Sequence, residues 1–180
     1  VYDKERYERI RQLSAMMMAD LSNKPLEQVE GLFCNEVGYQ TPKIDTRAAI
    51  FKEDKILLVQ EKNGTWALPG GWCDVNVSVM ENTIKEVKEE AGLDVVVKSV
   101  IALQDREKHN QPIYAYKVCK IFMLCEVDGG VFKENSETVG FDYFTKDNLP
   151  ILATEKNNEE QIQMCFDAYK AGENWKTYFD

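Results

Sequence analysis

The amino-acid sequence predicts a layered α/β fold preceded by a small helical segment. Three observations lead there. From Ile44 onward, strand-like and helix-like runs alternate along the chain, the pattern of packed sheet and helix layers. Before that point only helical spacing occurs. One helix in the second part also carries its own start and stop signals.

Taken in order, residues 3–23 read as a helix, with Tyr7, Ile10, Met17 and Leu21 at helical spacing and Leu13, Met16 and Met18 beside them. Pro25 marks the start of a second short helix containing Leu26, Val29 and Leu32. Residues 35–43 hold Gly38 and Pro42 and read as a linker. The chain therefore divides into residues 1–42 and 43–180. Ile44–Phe51 and Ile56–Glu61 are strand-like, with a hairpin turn at residues 52–55. A short strand, Trp66–Leu68, runs into Pro69-Gly70-Gly71. Further strands are expected at Leu93–Gln104, Tyr114–Val127 and Val139–Phe144. A closing helix over Asn157–Ala171 is expected to stop at Gly172.

Composition narrows the function classes. The net charge of −9 repels long polyanions, so no long nucleic acid is expected as partner. A small anionic substrate is compatible, because a bound cation reverses the local field. No stretch approaches the ~18 uninterrupted apolar residues of a membrane span, and no charged-then-apolar leader opens the sequence. Val1 in place of Met leaves open that native residues precede it. The five cysteines form no Cys-x-x-Cys pair, and the single His109 has no ligand partner nearby in sequence. Structural zinc and a disulfide framework are thus not expected, and reduced thiols point to a cytoplasmic protein.

The chemistry concentrates on one helix. Ser78-Val79-Met80-Glu81 is a capping box, and Gly92 supplies the stop after Ala91. Met80, Ile84, Val87 and Ala91 fall in one sector and are expected to face the core. Glu86, Glu89 and Glu90 stand at i, i+3 and i+4, a carboxylate cluster beside that stripe. Oxygen ligands of this kind suit Mg²⁺ or Mn²⁺. The same pattern is also that of an ordinary solvated face, with Lys85 in i,i+4 pairs to Glu81 and Glu89. The preceding Gly70-Gly71 favours the metal reading, since paired glycines let backbone approach a metal-bound diphosphate closely.

Together these residues resemble the Nudix box. Gly71 matches its first position, and Lys85-Glu86-Val87-Lys88-Glu89-Glu90-Ala91-Gly92-Leu93 matches its end without a gap. Two positions depart: Val77 stands where the family has Glu, and Lys85 where it has Arg. Lys lacks the planar fork with which Arg orients the glutamates. The resemblance implies an α/β/α sandwich with a mixed sheet over residues 43–180. It implies a pyrophosphohydrolase using Mg²⁺ or Mn²⁺, with Glu86 and Glu90 as direct ligands, Glu89 direct or through water, and the Gly70 carbonyl completing the site. The helical segment, with Asp105-Arg106-Glu107-Lys108-His109 and Thr177-Tyr178-Phe179-Asp180, is similar to a bacterial branch acting on nucleoside diphosphates linked to a second group, such as CDP-choline or ADP-ribose. In that branch the helices join a homodimer; packing on their own chain is the alternative.

Several roles stay open. The general base is a helix glutamate or Glu137, itself equally readable as a solvated loop charge. Arg47, in an otherwise apolar strand, either contacts phosphate or makes a structural salt bridge. Trp66, Trp72, Tyr114 and Tyr116 are either base-stacking or core aromatics. The alternatives to a small-molecule nucleotide hydrolase are a Nudix-fold binding module weakened by Val77 and Lys85, and an enzyme acting on RNA 5′ ends.

Overall fold

The computed structural model describes residues 2–33, 41–114, 117–131 and 138–180. They fall into two compact units, Val1–Thr41 and Pro42–Asp180.

The first unit holds α1 (Tyr2–Ser22) and α2 (Leu26–Phe33). Asn23 takes a positive φ of 52° between them, which asparagine tolerates better than most residues. The contact between the helices is made by Ala15, Ala19 and Val29. Tyr7, Ile10, Met17 and Leu21 are exposed. The stripe picked out by helical spacing is therefore not the face that α2 covers. Small residues let the two helices approach, and the larger apolar groups stay outside that contact.

The second unit is an α/β/α sandwich, as expected. Its strands are β1 (Lys43–Lys52), β2 (Lys55–Glu61), β3 (Trp66–Ala67), β4 (Leu93–Asp105), β5 (Val118–Gly130), β6 (Thr138–Phe144) and β7 (Tyr178–Phe179). Its helices are α3 (Val79–Ala91), α4 (Arg106–His109) and α5 (Glu159–Ala171). The strand order is β3-β2-β1-β5-β4-β7, with β6 also on β2. The sheet is mixed: β1 runs parallel to β5 and β4 parallel to β7, while the other pairs are antiparallel. The β1–β2 hairpin closes through Glu53 and Asp54 at φ 50° and 57°, the two positive values a type I′ turn needs.

Period-two alternation divides the core between the two sheet faces. Ala48, Ile50, Leu57, Val59, Ile121 and Met123 pack with Val87 and Ala91 of α3. The intervening Ala49, Ile56, Leu58 and Phe122 pack with Ile162, Cys165 and Phe166 of α5. Cys73, Cys119, Cys125 and Cys165 are all free thiols. Among the described residues no helix is long and apolar enough to cross a membrane.

Two elements lie outside the sequence expectations. The polar stretch after β4 forms α4, capped by the Asp105 side chain on the Glu107 N–H. The last residues add β7 to the edge of β4. Asp180 fixes that end by accepting from the Asp105 N–H at 2.8 Å and pairing with His109 at 2.7 Å. His109 is thus held by a carboxylate.

A buried polar network lies under α5. Asn110 Nδ2 donates to the Thr154 carbonyl and to Gln161 Oε1, and Gln161 Nε2 donates to Gln104 Oε1. Lys120, 1% exposed, donates to Asn110 Oδ1 and the Lys156 carbonyl and lies 3.8 Å from Asp45. Burial, with repulsion from Arg47, pushes its ammonium down to about 7 against the pull of Asp45. The folded chain therefore binds fewer protons than the unfolded chain between pH ~7 and the ordinary lysine value of 10.5. Stability attributable to Lys120 rises with pH across that window. Urea unfolding of the wild type and Lys120→Met at several pH values checks this: the wild type should gain relative to the variant as pH rises. Parallel curves would show that burial does not depress this ammonium.

Candidate active site

The site is built where the segment after β3 lies along β1. The Ala48 N–H donates to the Pro69 carbonyl at 2.8 Å, the Thr46 N–H to Gly71 at 2.9 Å, and the Cys73 N–H to Ile44 at 2.9 Å. Only glycine fits at position 70. Its φ is +142°, and a Cβ there would come within 1.9 Å of the Thr46 carbonyl oxygen. At Gly71 an added Cβ would lie 2.8 Å from Glu86 Oε2. The first glycine is required by backbone, the second by a carboxylate.

The helix α3 begins and ends as its sequence signals. Ser78 caps the Glu81 N–H, Glu81 accepts in return from the Ser78 N–H, and Gly92 closes the helix at φ 69°. Its apolar sector meets the core as expected at Ile84, Val87 and Ala91, but the buried face extends differently from there. Val87 and Ala91 are buried, but Met80 is 51% exposed, and Asn82, Thr83, Glu86 and Glu90 turn inward instead. Polar anchors set this rotation. Asn82 Nδ2 donates to Thr46 Oγ1 at 3.0 Å, and Glu90 Oε2 accepts from the Gly70 N–H at 2.8 Å. Thr138 Oγ1 donates to the Glu90 carbonyl at 2.7 Å.

The three glutamates divide into two kinds. Glu86 and Glu90 are buried, at 9% and 5% exposure, while Glu89 is exposed. Burial pushes Glu90 up to about 7, against the Arg47 guanidinium and the Gly70 N–H, which favour the charged form. Glu86 is also raised by burial, with Lys85 opposing. Burial thus outweighs the nearby cations at both carboxylates. Lys85 places its ammonium 2.9 Å from Asp74, 3.5 Å from Glu86 and 3.7 Å from Glu89. Glu81 is engaged in the helix cap, so the expected Glu81–Lys85 pair gives way to Asp74–Lys85.

Among the described residues no three Asp, Glu, His or Cys side chains converge as a ready-made metal cage. The donor set nevertheless fits Mg²⁺ or Mn²⁺. Mg²⁺ takes one or two carboxylates and keeps waters or substrate oxygens for the rest, and two incompletely neutralised carboxylates flank the glycine pair.

Arg47 takes the salt-bridge alternative. It is buried, donates through Nε and Nη2 to Asp45 at 3.0 and 2.8 Å, and through Nη1 to the Leu68 carbonyl at 3.2 Å. Desolvation works most strongly against its charge, but Asp45 together with Glu90 and Glu61 outweighs it and raises the pKa. The guanidinium therefore braces the approach to the glycine loop. Trp66 packs edge-on against Phe144 at 4.9 Å, and Tyr114 lies beneath the Arg106 guanidinium at 3.6 Å. Trp72 is half-exposed and lines a cavity of about 430 Å³ with Lys43, Ile44, Cys73, Asp74, Val75 and Asn76. Glu137 and Tyr116 lie outside the described residues. Sequence reasoning missed Asp74, Asn82 and Thr46, since nothing in helical or strand periodicity links residues so far apart.

Comparison with known proteins identifies the family. The NUDIX domain model matches residues 41–165, and a UDP-X-like, N-terminal oligomerisation domain matches residues 1–33. The chain belongs to the Nudix family of hydrolases. It is 43% identical to a provisionally assigned ADP-ribose pyrophosphatase of Bacillus subtilis, over all of this chain and 86% of that one. It is 34% identical to the ADP-ribose pyrophosphatase of Methanocaldococcus jannaschii, over 64% of this chain and 69% of that one. Among solved structures, an ADP-ribose pyrophosphatase of Streptococcus suis matches with TM-score 0.73 and 55% identity, covering 78% of this chain and 100% of that one. A UDP-X diphosphatase matches with TM-score 0.74 and 32% identity, covering 99% and 87%. Nudix hydrolases generally use divalent metals.

The two glycines should respond differently to alanine. Gly70→Ala meets fixed backbone and should lower unfolding stability by about 2 kcal/mol or more. Gly71→Ala meets the movable end of Glu86, so the fold should survive while hydrolysis falls. Denaturation curves together with turnover check the pair, and equal stability losses would contradict the distinction.

Proposed function

We propose that the chain hydrolyses the pyrophosphate bond of a nucleoside diphosphate joined to a second group, with ADP-ribose and UDP- or CDP-linked compounds such as CDP-choline as candidate substrates. Water adds to one phosphorus, the bridging P–O bond breaks, and the products are a nucleoside monophosphate and a phosphorylated second group. The observation that carries this reading is the placement of Glu86 and Glu90, buried against the glycine pair and raised by desolvation.

In this reading Glu86 and Glu90 would hold Mg²⁺ or Mn²⁺, with Glu89 direct or through water and the Gly70 carbonyl as a further oxygen. Such an ion, when bound, polarises the diphosphate and lowers the pKa of the attacking water. The protein's own part is positional. The Gly70 N–H orients Glu90, Gly71 leaves room for Glu86, and Asp45 with Arg47 fixes the segment that presents both glycines. Gly70 and Gly71 also let the diphosphate approach backbone closely. A glutamate serves as general base, on α3 or at Glu137.

Residues 1–42 are assigned to association and residues 43–180 to hydrolysis. A homodimer is the assembly proposed, as symmetric dimers are the commonest closed form. The exposed apolar residues of α1 and the match to an oligomerisation domain support it. The free thiols support a cytoplasmic setting.

Replacing Glu90 by Gln keeps the shape and removes the ligand charge. Turnover should fall by more than the roughly 10- to 100-fold typical of outer-shell losses around a metal, with the circular dichroism spectrum kept. Unchanged turnover at limiting Mg²⁺ would remove Glu90 from the site. Sedimentation tests the association segment. The full chain should sediment as a dimer and a chain beginning at Lys43 as a folded monomer; two monomers at micromolar concentration would exclude association through residues 1–42.

A further inference from the structure

Lys85 brings a positive charge to the edge of α3 where a divalent cation is proposed to bind. Its ammonium lies 3.5 Å from Glu86 Oε1 and 3.7 Å from Glu89 Oε2. An ammonium seated fully on those oxygens would compete for the charge that a cation needs. Its shortest contact is elsewhere, at 2.9 Å to Asp74 Oδ2. Asp74 is itself fixed between two elements. The neighbouring Cys73 N–H donates to Ile44 of β1 at 2.9 Å, and the Val77 N–H donates to the Asp74 carbonyl at 3.4 Å. The Asp74 N–H points to Asn82 Oδ1 of α3 at 3.4 Å, and Asn82 is in turn bonded to Thr46. The acceptor is thus placed by the same contacts that seat α3 on β1.

We propose that Asp74 is a positioning residue that anchors the Lys85 ammonium, limiting its approach to Glu86 and Glu89 and keeping their oxygens available to a divalent cation. The inference rests on the metal-dependent reading above. Lysine makes such an anchor necessary, because its long stem holds a compact charge that follows the nearest carboxylates. The pair itself is solvent-exposed, with side chains 37% and 56% accessible. Exposed pairs contribute little to stability, so its loss leaves the fold intact and the effect is read at the cation.

The test is a double-mutant cycle on the full chain, with Mn²⁺ affinity read from the electron paramagnetic resonance signal of the free ion. Asp74→Asn should weaken Mn²⁺ binding by about fivefold, the upper end for an exposed ion pair, and Asp74→Glu should retain most of the affinity. Lys85→Met should bind Mn²⁺ as well as the wild type or more tightly. Adding Asp74→Asn to Lys85→Met should then change nothing, because Asp74 would have no ammonium left to hold. Wild-type affinity in Asp74→Asn overturns the proposal. So does an equal loss in both backgrounds, which would make Asp74 only a nearby negative charge. Failure of the metal reading is told apart by Glu90→Gln. If it and the wild type bind Mn²⁺ equally, the ligand assignment falls and the anchor falls with it.

Discussion

The close approach of Gly70 to Thr46 is the constraint on which the site depends. It brings the loop after β3 into hydrogen-bonding register with β1, which no larger residue at this position would allow. Once the loop is there, the Gly70 N–H reaches Glu90, and the open face of Gly71 receives Glu86. The orientation of α3 follows, because its carboxylates, rather than its most apolar sector, meet that loop. A helix seated by hydrophobic area alone would turn Met80 inward. This one exposes Met80 and buries two glutamates, with Asn82 bonded to Thr46 as a further fixed point.

Burying carboxylates is costly unless the charge is compensated. The protein compensates Glu86 and Glu90 only in part. Arg47 opposes the upward shift of both and Lys85 opposes that of Glu86, yet desolvation still wins. Each of those cations also has its shortest ion pair with another carboxylate, Asp45 for Arg47 and Asp74 for Lys85. The charges are therefore held near the buried glutamates and shared with other carboxylates. Such an arrangement costs folding stability, and it is the feature on which the proposed cation site rests.

The opposite face of the sheet carries a different polar load. Lys120, Asn110, Gln104 and Gln161 are buried and bonded to one another or to backbone beneath α5. Asp45 belongs to this side: it pairs with Arg47 two residues along the same strand and lies near Lys120. The backbone from 44 to 48 thus faces a carboxylate helix on one side and a buried lysine network on the other. The final residues fasten the same end of the unit through Asp180, His109 and Asp105.

Local signals in the sequence determined the layered fold, the limits of α3 and α5, and the hairpin at residues 52–55. A capping side chain lies three residues from its partner, a glycine stop follows its helix directly, and strand alternation repeats every second residue. The spacing of Glu86, Glu89 and Glu90 and the paired glycines were legible for the same reason. The tertiary structure alone decided which glutamates are buried, that Arg47 answers Asp45, that Lys85 answers Asp74, and that β7 completes the edge of β4. The buried glutamates and β7 depend on groups brought together across the sheet, and Lys85–Asp74 on the loop that precedes α3; Arg47 and Asp45 are two residues apart on one strand face, a pair that spacing allowed and the buried setting selected. Helical periodicity also misjudged Met80, which lies outside the buried face of α3. Hydrophobic spacing reports which face could be buried, whereas the partner's shape and hydrogen bonds select which face is.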